Sequence, residues 1–277
     1  MAATSLYSQL VTVVIPLYRN QLNDIERWAV ERNLRVLAPE RDIAVVCPLG
    51  LDLSPLEGLL GIETGRCRVE RFDSQFFDGR QGYNRFMLNS ELYSRFGESK
   101  FIAVCQTDVA LFHDNLDYWC SLDYDYIGAP WLPARSEVEG WNIIKRGAYK
   151  LRRGWARLKG GFDPVMLKWK VGNGGFSLRR TSAMLRVLEE HGHEIEAMTD
   201  ATTGAAGFED VVWSVRVNEL WHGSLRIPDA TTAARFAIEG HPEMAMRLTG
   251  GELPMGTHAF YRRRNRAFWS NYLDFNI

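Results

Sequence analysis

The sequence is poor in the features that assign a class at sight. It contains only four cysteines, Cys47, Cys67, Cys105 and Cys120. They form no CxxC pair and no cysteine–histidine spacing, which excludes a zinc ribbon and a disulfide framework. Cys47 and Cys105 fall in apolar, strand-like runs, where a free thiol acts as a small hydrophobe. All four are expected to be reduced, as in a cytoplasmic protein. No apolar run approaches the ~20 residues needed to cross a bilayer. The opening MAATSLYSQL lacks a basic segment ahead of an apolar one, so no secretory signal is expected. Neither charge sign is in excess, with 33 Lys and Arg against 34 Asp and Glu and a net charge of −1, which argues against a strongly basic nucleic-acid binder. There is no internal repeat and no low-complexity linker.

What is present is ordinary globular composition, 46% hydrophobic and 24% charged over 277 residues, enough chain for one sizeable core. The first half alternates between two periods. Val11–Leu17 and Ile43–Cys47 are continuous β-branched runs of the kind buried on both faces of a sheet. Arg68–Phe72, Phe101–Cys105 and Tyr124–Ile127 predict further strands. Between them, Leu22–Leu37 and Gly82–Phe96 have helical spacing, the second closed by Gly97 as a C′ glycine. This order predicts an α/β fold with a mostly parallel sheet flanked by helices. After Trp131 the rhythm changes to a basic, aromatic stretch, a glycine run at Gly172–Gly175, and helices near Ser182–His191 and Glu209–Leu220. One domain spanning the chain is expected, with residues 132–170 as an insert between a half formed by 10–131 and a half formed by 171–277.

Ligands collect at the carboxyl ends of parallel strands, so Gln106-Thr107-Asp108, directly after FIAVC, is the first candidate site. A carboxylate there suits Mg²⁺ or Mn²⁺, hard cations that bridge to substrate phosphates. A literal DxD at Asp123-Tyr124-Asp125 competes, because alternation would put both carboxylates on one strand face. Of the two, Asp108 is expected to be the principal ligand and Asp125 to be structural. Val171-Gly172-Asn173-Gly174-Gly175 reads as a tight turn with positive φ, where backbone can approach a ligand. It is no phosphate-binding P-loop, since no Gly-Lys-Ser/Thr follows. Glu209 and Asp210 open a helix. Acids in a first turn already oppose the helix dipole, but a carboxylate held there can also serve as a general base. His258, in a Pro-Gly turn, is a candidate metal ligand. His191 and His193 are assigned to dipole compensation at a helix end.

Each signal is common by itself; their order is not. VTVVIPLYR, GYNRFM, FIAVCQTDV, DYDYIGAPW, VGNGGFSLR, EDVVWS and PMGTHAFY, spread over roughly residues 10–262, resemble the GT-A glycosyltransferase plan. More narrowly, they resemble a family of bacterial and fungal glycosyltransferase-like proteins catalogued as a domain of unknown function. The resemblance implies a Rossmann-type GT-A fold and a hexosyltransferase-like enzyme of polysaccharide biosynthesis. Such an enzyme would take a nucleotide sugar, with a UDP-sugar the expected donor, to a hydroxyl on a glycan or lipid-linked glycan. It implies that Pro16, Leu17, Tyr18 and Arg19 line the nucleotide pocket and that Tyr83 and Asn84 lie near the sugar diphosphate. It further implies that Asp108 and His258 hold a divalent metal, Mn²⁺ or Mg²⁺, with Gln106 and Thr107 beside them. Trp131, Asn173, Gly174 and Gly175 would form the acceptor side, and Asp210, assisted by Glu209, would be the base of an inverting transfer. Gln106 departs from the plan, since it stands where the first DxD carboxylate is expected. That substitution motivates the rival reading of a non-catalytic carbohydrate- or nucleotide-sugar-binding protein on a decayed GT-A fold. A sugar-nucleotide pyrophosphorylase is disfavoured, because IPLYRN offers no glycine to cradle a triphosphate.

The near-neutral sum conceals an uneven distribution. Residues 132–170 hold ten Lys and Arg and three acids, a net of +7, which leaves −8 on the rest of the chain. Trp141, Tyr149, Trp155, Phe162 and Trp169 interleave with those cations. The expectation is either a solvated basic helix or a docking surface for an anionic acceptor or an anionic membrane. The second would place the protein peripherally at the inner face of the membrane. No base readout, and so no nucleic-acid partner, is expected.

Overall fold

The structure, a computed structural model, describes residues 9–134, 164–201 and 207–275 and the single positions 147, 148 and 151. Four strands are parallel: β1 (Gln9–Pro16), β2 (Asp42–Pro48), β3 (Arg68–Phe72) and β4 (Ser99–Cys105). The short β5 (Val109–Leu111) leaves this sheet, and β6 (Tyr126–Pro130) and β7 (Val171–Arg180) return to it. β7 runs antiparallel to both β4 and β6, so the six-stranded sheet, ordered β3-β2-β1-β4-β7-β6, is mixed rather than wholly parallel. A second sheet joins β5 to β8 (Ala237–Ile238) and β9 (Gly256–His258) in the order β5-β9-β8.

The β-branched runs are buried because both sheet faces are covered. Val11, Val13 and Ile15 pack with α1 (Asp24–Val36), α5 (Leu116–Ser121) and α8 (Ala230–Phe236). Val14, with Val46 and Val104, packs with α3 (Gly79–Met87), α4 (Ser90–Arg95) and α6 (Thr181–Ala201). This is the period-2 alternation of a central strand. A third cluster, around Phe260 and Trp269, joins α9 (Pro242–Thr249) and α10 (Arg263–Trp269) to the small sheet. The four-residue α2 (Glu57–Leu60) lies between β2 and β3.

Several predicted elements change. The helix expected over Gly82–Phe96 is two, broken at Leu88 and Asn89, because the Asn89 side chain accepts from the Glu91 amide at 2.7 Å and starts a new helix. Gly97 is not left-handed. α6 continues past its predicted end, kinking at His191, whose ring stacks on Trp221 at 3.8 Å. The first helical segment therefore does end at the predicted His191, whose backbone is non-helical at φ −138°, and a second segment carrying His193 continues beyond it. The Gly172–Gly175 segment is part of β7 rather than a turn, and none of its glycines has positive φ. His258 likewise ends a strand, not a turn. Asp123 and Asp125 share no strand face: Asp123 is left-handed at φ 63°, and β6 begins only at Tyr126. Most of the basic stretch 132–170 lies outside the described residues. Among the described residues no helix is long and apolar enough to cross a membrane.

Candidate functional site

The small sheet brings three strand ends together. β5 pairs with β9 at Val109↔His258, so Asp108, just before β5, meets His258 at the end of β9. β8 pairs with β9 at Ile238↔Thr257, which sets Glu239 beside the same ring. His258 Nε2 lies 3.1 Å from Asp108 Oδ1, and Nδ1 lies 3.5 Å from Glu239 Oε1 and 3.1 Å from Asn173 Oδ1. Burial opposes protonation of His258, yet the two carboxylates outweigh it and raise the imidazole to about 10. Burial likewise works against the Asp108 charge, but His258, followed by Arg262, holds the carboxyl below its usual range. The next residue, Ala259, is left-handed at φ 52°, with its amide donating to the Asp108 carbonyl at 3.0 Å. For a non-glycine residue that is a strained conformation, held by its surroundings.

β7 supplies the floor. Gln106 donates its amide to the Gly175 carbonyl at 3.0 Å, fixing the glycines against the end of β4. A Cβ on Gly175 would overlap the His258 ring, and one on Gly174 would overlap Glu209 Oε1. The glycines are thus required by close approach of side chains, not by backbone curvature. Across this floor stands α7, which begins as Glu209–Val211, passes through a π-helical turn at Val212–Arg216 and ends as Val217–Leu220. Its first amide, of Glu209, donates to Asn84 Oδ1 of α3 at 3.2 Å, so Asn84 satisfies an otherwise orphan donor. Glu209 is buried against Arg179, whose Nη2 lies 3.0 Å from Oε2, while Arg179 is itself fully buried and donates to the Tyr93 hydroxyl at 3.1 Å. Asp210, one residue on, makes no ion pair among the described residues; its Oδ1 accepts only from the Val211 amide at 2.8 Å. Burial, then the charges of Glu209 and Glu239, raise the Asp210 carboxyl to about 7.

Two adjoining cavities share Arg80, Tyr83 and Gln106. The larger, about 500 Å³, opens at the carboxyl ends of β1 and β4 and includes Pro16, Tyr18, Glu26, Thr107 and Asp108 in its lining. The smaller, about 250 Å³, reaches Asn173, Gly174, Glu209, Asp210, Glu239 and His258. Gln106 Nε2 donates to the Tyr83 hydroxyl at 2.8 Å, and burial pushes that phenol up. Arg80 stacks on Phe208 with its guanidinium 5.3 Å from the ring centre. It lines both cavities and has no ion pair among the described residues.

The sequence-predicted residues therefore gather, with three qualifications. Leu17 is buried in the core and lines neither of these two cavities. Arg19 reaches the larger cavity only through Glu26, to which its Nη2 donates at 2.6 Å. Trp131 lines neither of these cavities but a third beside them, its ring pressed on Gly172. Glu26, Arg80, Arg179 and Glu239 were not anticipated. Asn23 and Glu26 have capping-box spacing, and the Asn23 side chain and the Glu26 amide do bond at 2.9 Å. Arg80 follows the carboxyl end of β3, the side on which parallel sheets gather ligands. Glu239 and Arg179 carry no local signal.

The sequence matches the family described as Protein of unknown function (DUF5672) over residues 66–258, well over half of its length. The chain belongs to that family. The matched segment ends at His258 and holds the QTD, GNGG and ED segments. A comparison with curated proteins finds no match. Among solved structures the chain is similar to a galactosyltransferase, LgtC, in complex with donor and acceptor sugar analogs. The identity is 13%, the TM-score is 0.55, and 89% of this chain and 86% of that chain are covered. It is also similar to mouse xyloside xylosyltransferase 1, at 12% identity and TM-score 0.53, covering 91% and 97% of the two chains. The bifunctional glycosyltransferase WbbM aligns at 11% identity and TM-score 0.54, over 93% of this chain and 47% of that one. The DUF5672 chain thus has the fold of GT-A glycosyltransferases: helices on a mixed central sheet.

Among the described residues no group of three or more His, Cys, Asp and Glu side chains has metal-holding geometry. Asp108 and His258 do offer a carboxylate oxygen and an imidazole nitrogen facing each other. Asn173 and Glu239 lie on the other ring nitrogen, as the outer partners of a ligating histidine do. This mixed donor pair fits Mn²⁺ better than Mg²⁺, provided substrate oxygens complete the shell.

Proposed function

We propose that this protein is a glycosyltransferase that moves a sugar from a nucleotide-sugar donor to a hydroxyl acceptor, with Asp210 as the base. One observation carries the reading. A carboxylate with no ion-pair partner among the described residues and poised near neutrality, Asp210, lines a small cavity that adjoins a larger one at the carboxyl ends of parallel strands. The larger cavity suits a nucleoside diphosphate, with Tyr18 at its rim and the Arg80 guanidinium facing the diphosphate. Asp108 and His258 are the residues that would hold a divalent metal. When bound, such an ion supplies charge neutralisation for the leaving diphosphate. Asp210 accepts the proton of the acceptor hydroxyl, and attack from the face opposite the leaving group inverts the anomeric centre. Glu209 assists by anchoring the start of α7 on Arg179 and by raising Asp210 through its charge. Glu26, capped by Asn23 and bridged to Arg19, sets the wall of the larger cavity.

Thermal denaturation with a panel of nucleotide sugars, UDP-sugars first, with and without Mn²⁺, tests the reading. A bound donor at a hundred times its Kd adds ~2.7 kcal/mol, which raises Tm by several degrees. If no nucleotide sugar moves Tm, the transferase reading fails. Gln106, its amide committed to Tyr83, supports one alternative, a non-catalytic nucleotide-sugar-binding protein. Binding without hydrolysis or transfer on any acceptor would favour that alternative, whereas turnover abolished by Asp210→Ala would exclude it. A product with retained configuration would remove Asp210 from the role of base.

A further inference from the structure

A third cavity, about 530 Å³, shares Glu239 with the smaller cavity that Asp210 lines. Trp131 forms one wall, and the consecutive Arg262, Arg263 and Arg264 form another. The three arginines are exposed. Arg262 reaches Glu239 at 3.7 Å, while Arg263 and Arg264 have no partner among the described residues. Their position does not serve the fold, since cations at the start of α10 face the positive end of its dipole.

The aromatic wall is held in place. The Trp131 amide donates to the Lys170 carbonyl at 2.9 Å, and its carbonyl accepts from the Trp169 amide at 2.9 Å. Its ring packs on Gly172 so closely that no Cβ would fit. A tryptophan fixed on its backbone and its face is a platform for a sugar ring, and it loses little entropy on binding. The opposite wall carries backbone strain of its own. His241, at φ 52°, enters α9 in the left-handed region. Two acids, Glu239 and Glu243, also line the cavity. Glu239 is already committed to His258 and Arg262, which leaves, among the described residues, Glu243 as the one lining acid without an ion pair against the two guanidinium groups without a partner.

We propose that this cavity binds the acceptor and that the acceptor carries an oxyanion, a phosphate or a carboxylate, gripped by Arg263 and Arg264 while its sugar ring lies on Trp131. The inference rests on the transferase reading for its functional meaning. The site itself is defined by chemistry that can be tested without turnover. Guanidinium groups match carboxylate and phosphate with two parallel hydrogen bonds, which an ammonium cannot do. Glu239 lines both this cavity and the smaller one that holds Asp210, so the two adjoin. A hydroxyl near the charged group would then be presented to the base.

The test is ligand-observed NMR on the full chain with three probes: glucose 1-phosphate, methyl glucuronide and uncharged methyl glucoside. A donor titration with UDP-glucose runs in parallel. The expected result is binding of one or both anionic probes and at least about tenfold weaker binding of methyl glucoside. Which anionic probe binds distinguishes phosphate from carboxylate. Arg263→Lys with Arg264→Lys should weaken the anionic probe about tenfold while leaving UDP-glucose binding unchanged. Equal binding of charged and neutral probes, or full affinity in the lysine variant, would overturn the proposal as non-specific attraction. Trp131→Ala should weaken both sugars further, and unchanged binding there would remove the platform. Failure of UDP-glucose to bind, with the anion site intact, would count against the transferase reading alone.

Discussion

The two ends of the central sheet carry acidic groups of similar composition and opposite character. At the end where β6 begins, Asp125 accepts from Arg180 Nε at 2.7 Å and from the Arg226 amide at 2.8 Å. Asp123 meets Lys100 at 3.2 Å and Arg226 at 3.4 Å. That end is electrostatically saturated. Tyr126 pairs with Arg179 and Phe101 with Arg180, so it lies level with the start of β4. At the other end, beyond Cys105, Asp108 and Glu209 also have partners, but Asp210 is left with a single backbone hydrogen bond. The literal DxD is at the closed end. What marks the candidate site is a half-buried carboxylate with no ion pair among the described residues, in a cleft.

The strongest test of that contrast is Asp210→Asn. If Asp210 is the base, transfer falls by ~10²–10⁴. On the same reading, transfer by the parent protein should rise with pH up to about 7 and level off above it, because the proton must leave the carboxyl first. Stability should move the other way. The folded protein holds this proton to about 7, whereas the unfolded chain releases it near ~3.9. Keeping Asp210 ionised therefore costs stability increasingly from about pH 4 to pH 7, and the full cost persists above. Asparagine removes that cost, so urea denaturation should find the variant more stable than the parent at pH 8 and less distinctly so at pH 5. Lost activity without this pH-dependent gain would mean that Asp210 is an ordinary solvated carboxylate and that the two ends do not differ as described.

The second test is Gly174→Ala. In an unstrained strand an added methyl ordinarily stabilises, by ~0.5–1 kcal/mol relative to glycine. Here the Cβ would overlap Glu209 Oε1 and crowd Arg179 Nη2 at 3.1 Å. Glu209 would have to leave a guanidinium that is fully buried, and an uncompensated buried charge costs ~3–5 kcal/mol. A large loss in urea midpoint is therefore expected. A neutral or stabilising effect would show that the ion pair can shift, and that the Arg179–Glu209 anchor does not set the start of α7.

The buried strands were legible because they are long and β-branched, and Asp108 was legible because it follows one of them. The ED pair was legible as an acidic helix start, though not the division of labour within it. Glu209 is fixed by Arg179, thirty residues away, and no local pattern announces a tertiary ion pair. Gly172–Gly175 misled because composition reports only that a Cβ is excluded. A tight turn and a side chain pressed on a strand both exclude one, and here Trp131, Glu209 and His258 do so. Asp123 misled through alternation, which applies only where strand backbone exists. At φ 63° it is a turn residue, a conformation that aspartate and asparagine tolerate. Glu239 was invisible because its position arises from pairing of a two-residue strand, β8, with β9.

The smallest expected effect is the most direct probe of the closed end. Asp123→Asn keeps a residue suited to the left-handed backbone, so it removes charge without adding strain. The side chain is 47% exposed, its pairs with Lys100 and Arg226 are at the surface, where such pairs are worth ~0–1 kcal/mol, and the half-buried Arg180 that it also meets at 2.6 Å keeps Asp125 as a partner. The variant should therefore denature within about 1 kcal/mol of the parent. Donor affinity, its response to Mn²⁺ and transfer rate should not change, because Asp123 lines neither the larger nor the smaller cavity. The same measurements on Asp108→Asn should lose the Mn²⁺ response. If instead Asp123→Asn weakened the Mn²⁺ response and Asp108→Asn did not, the DxD spelling would identify the metal end, and the assignment of Asp108 and His258 would have to be abandoned.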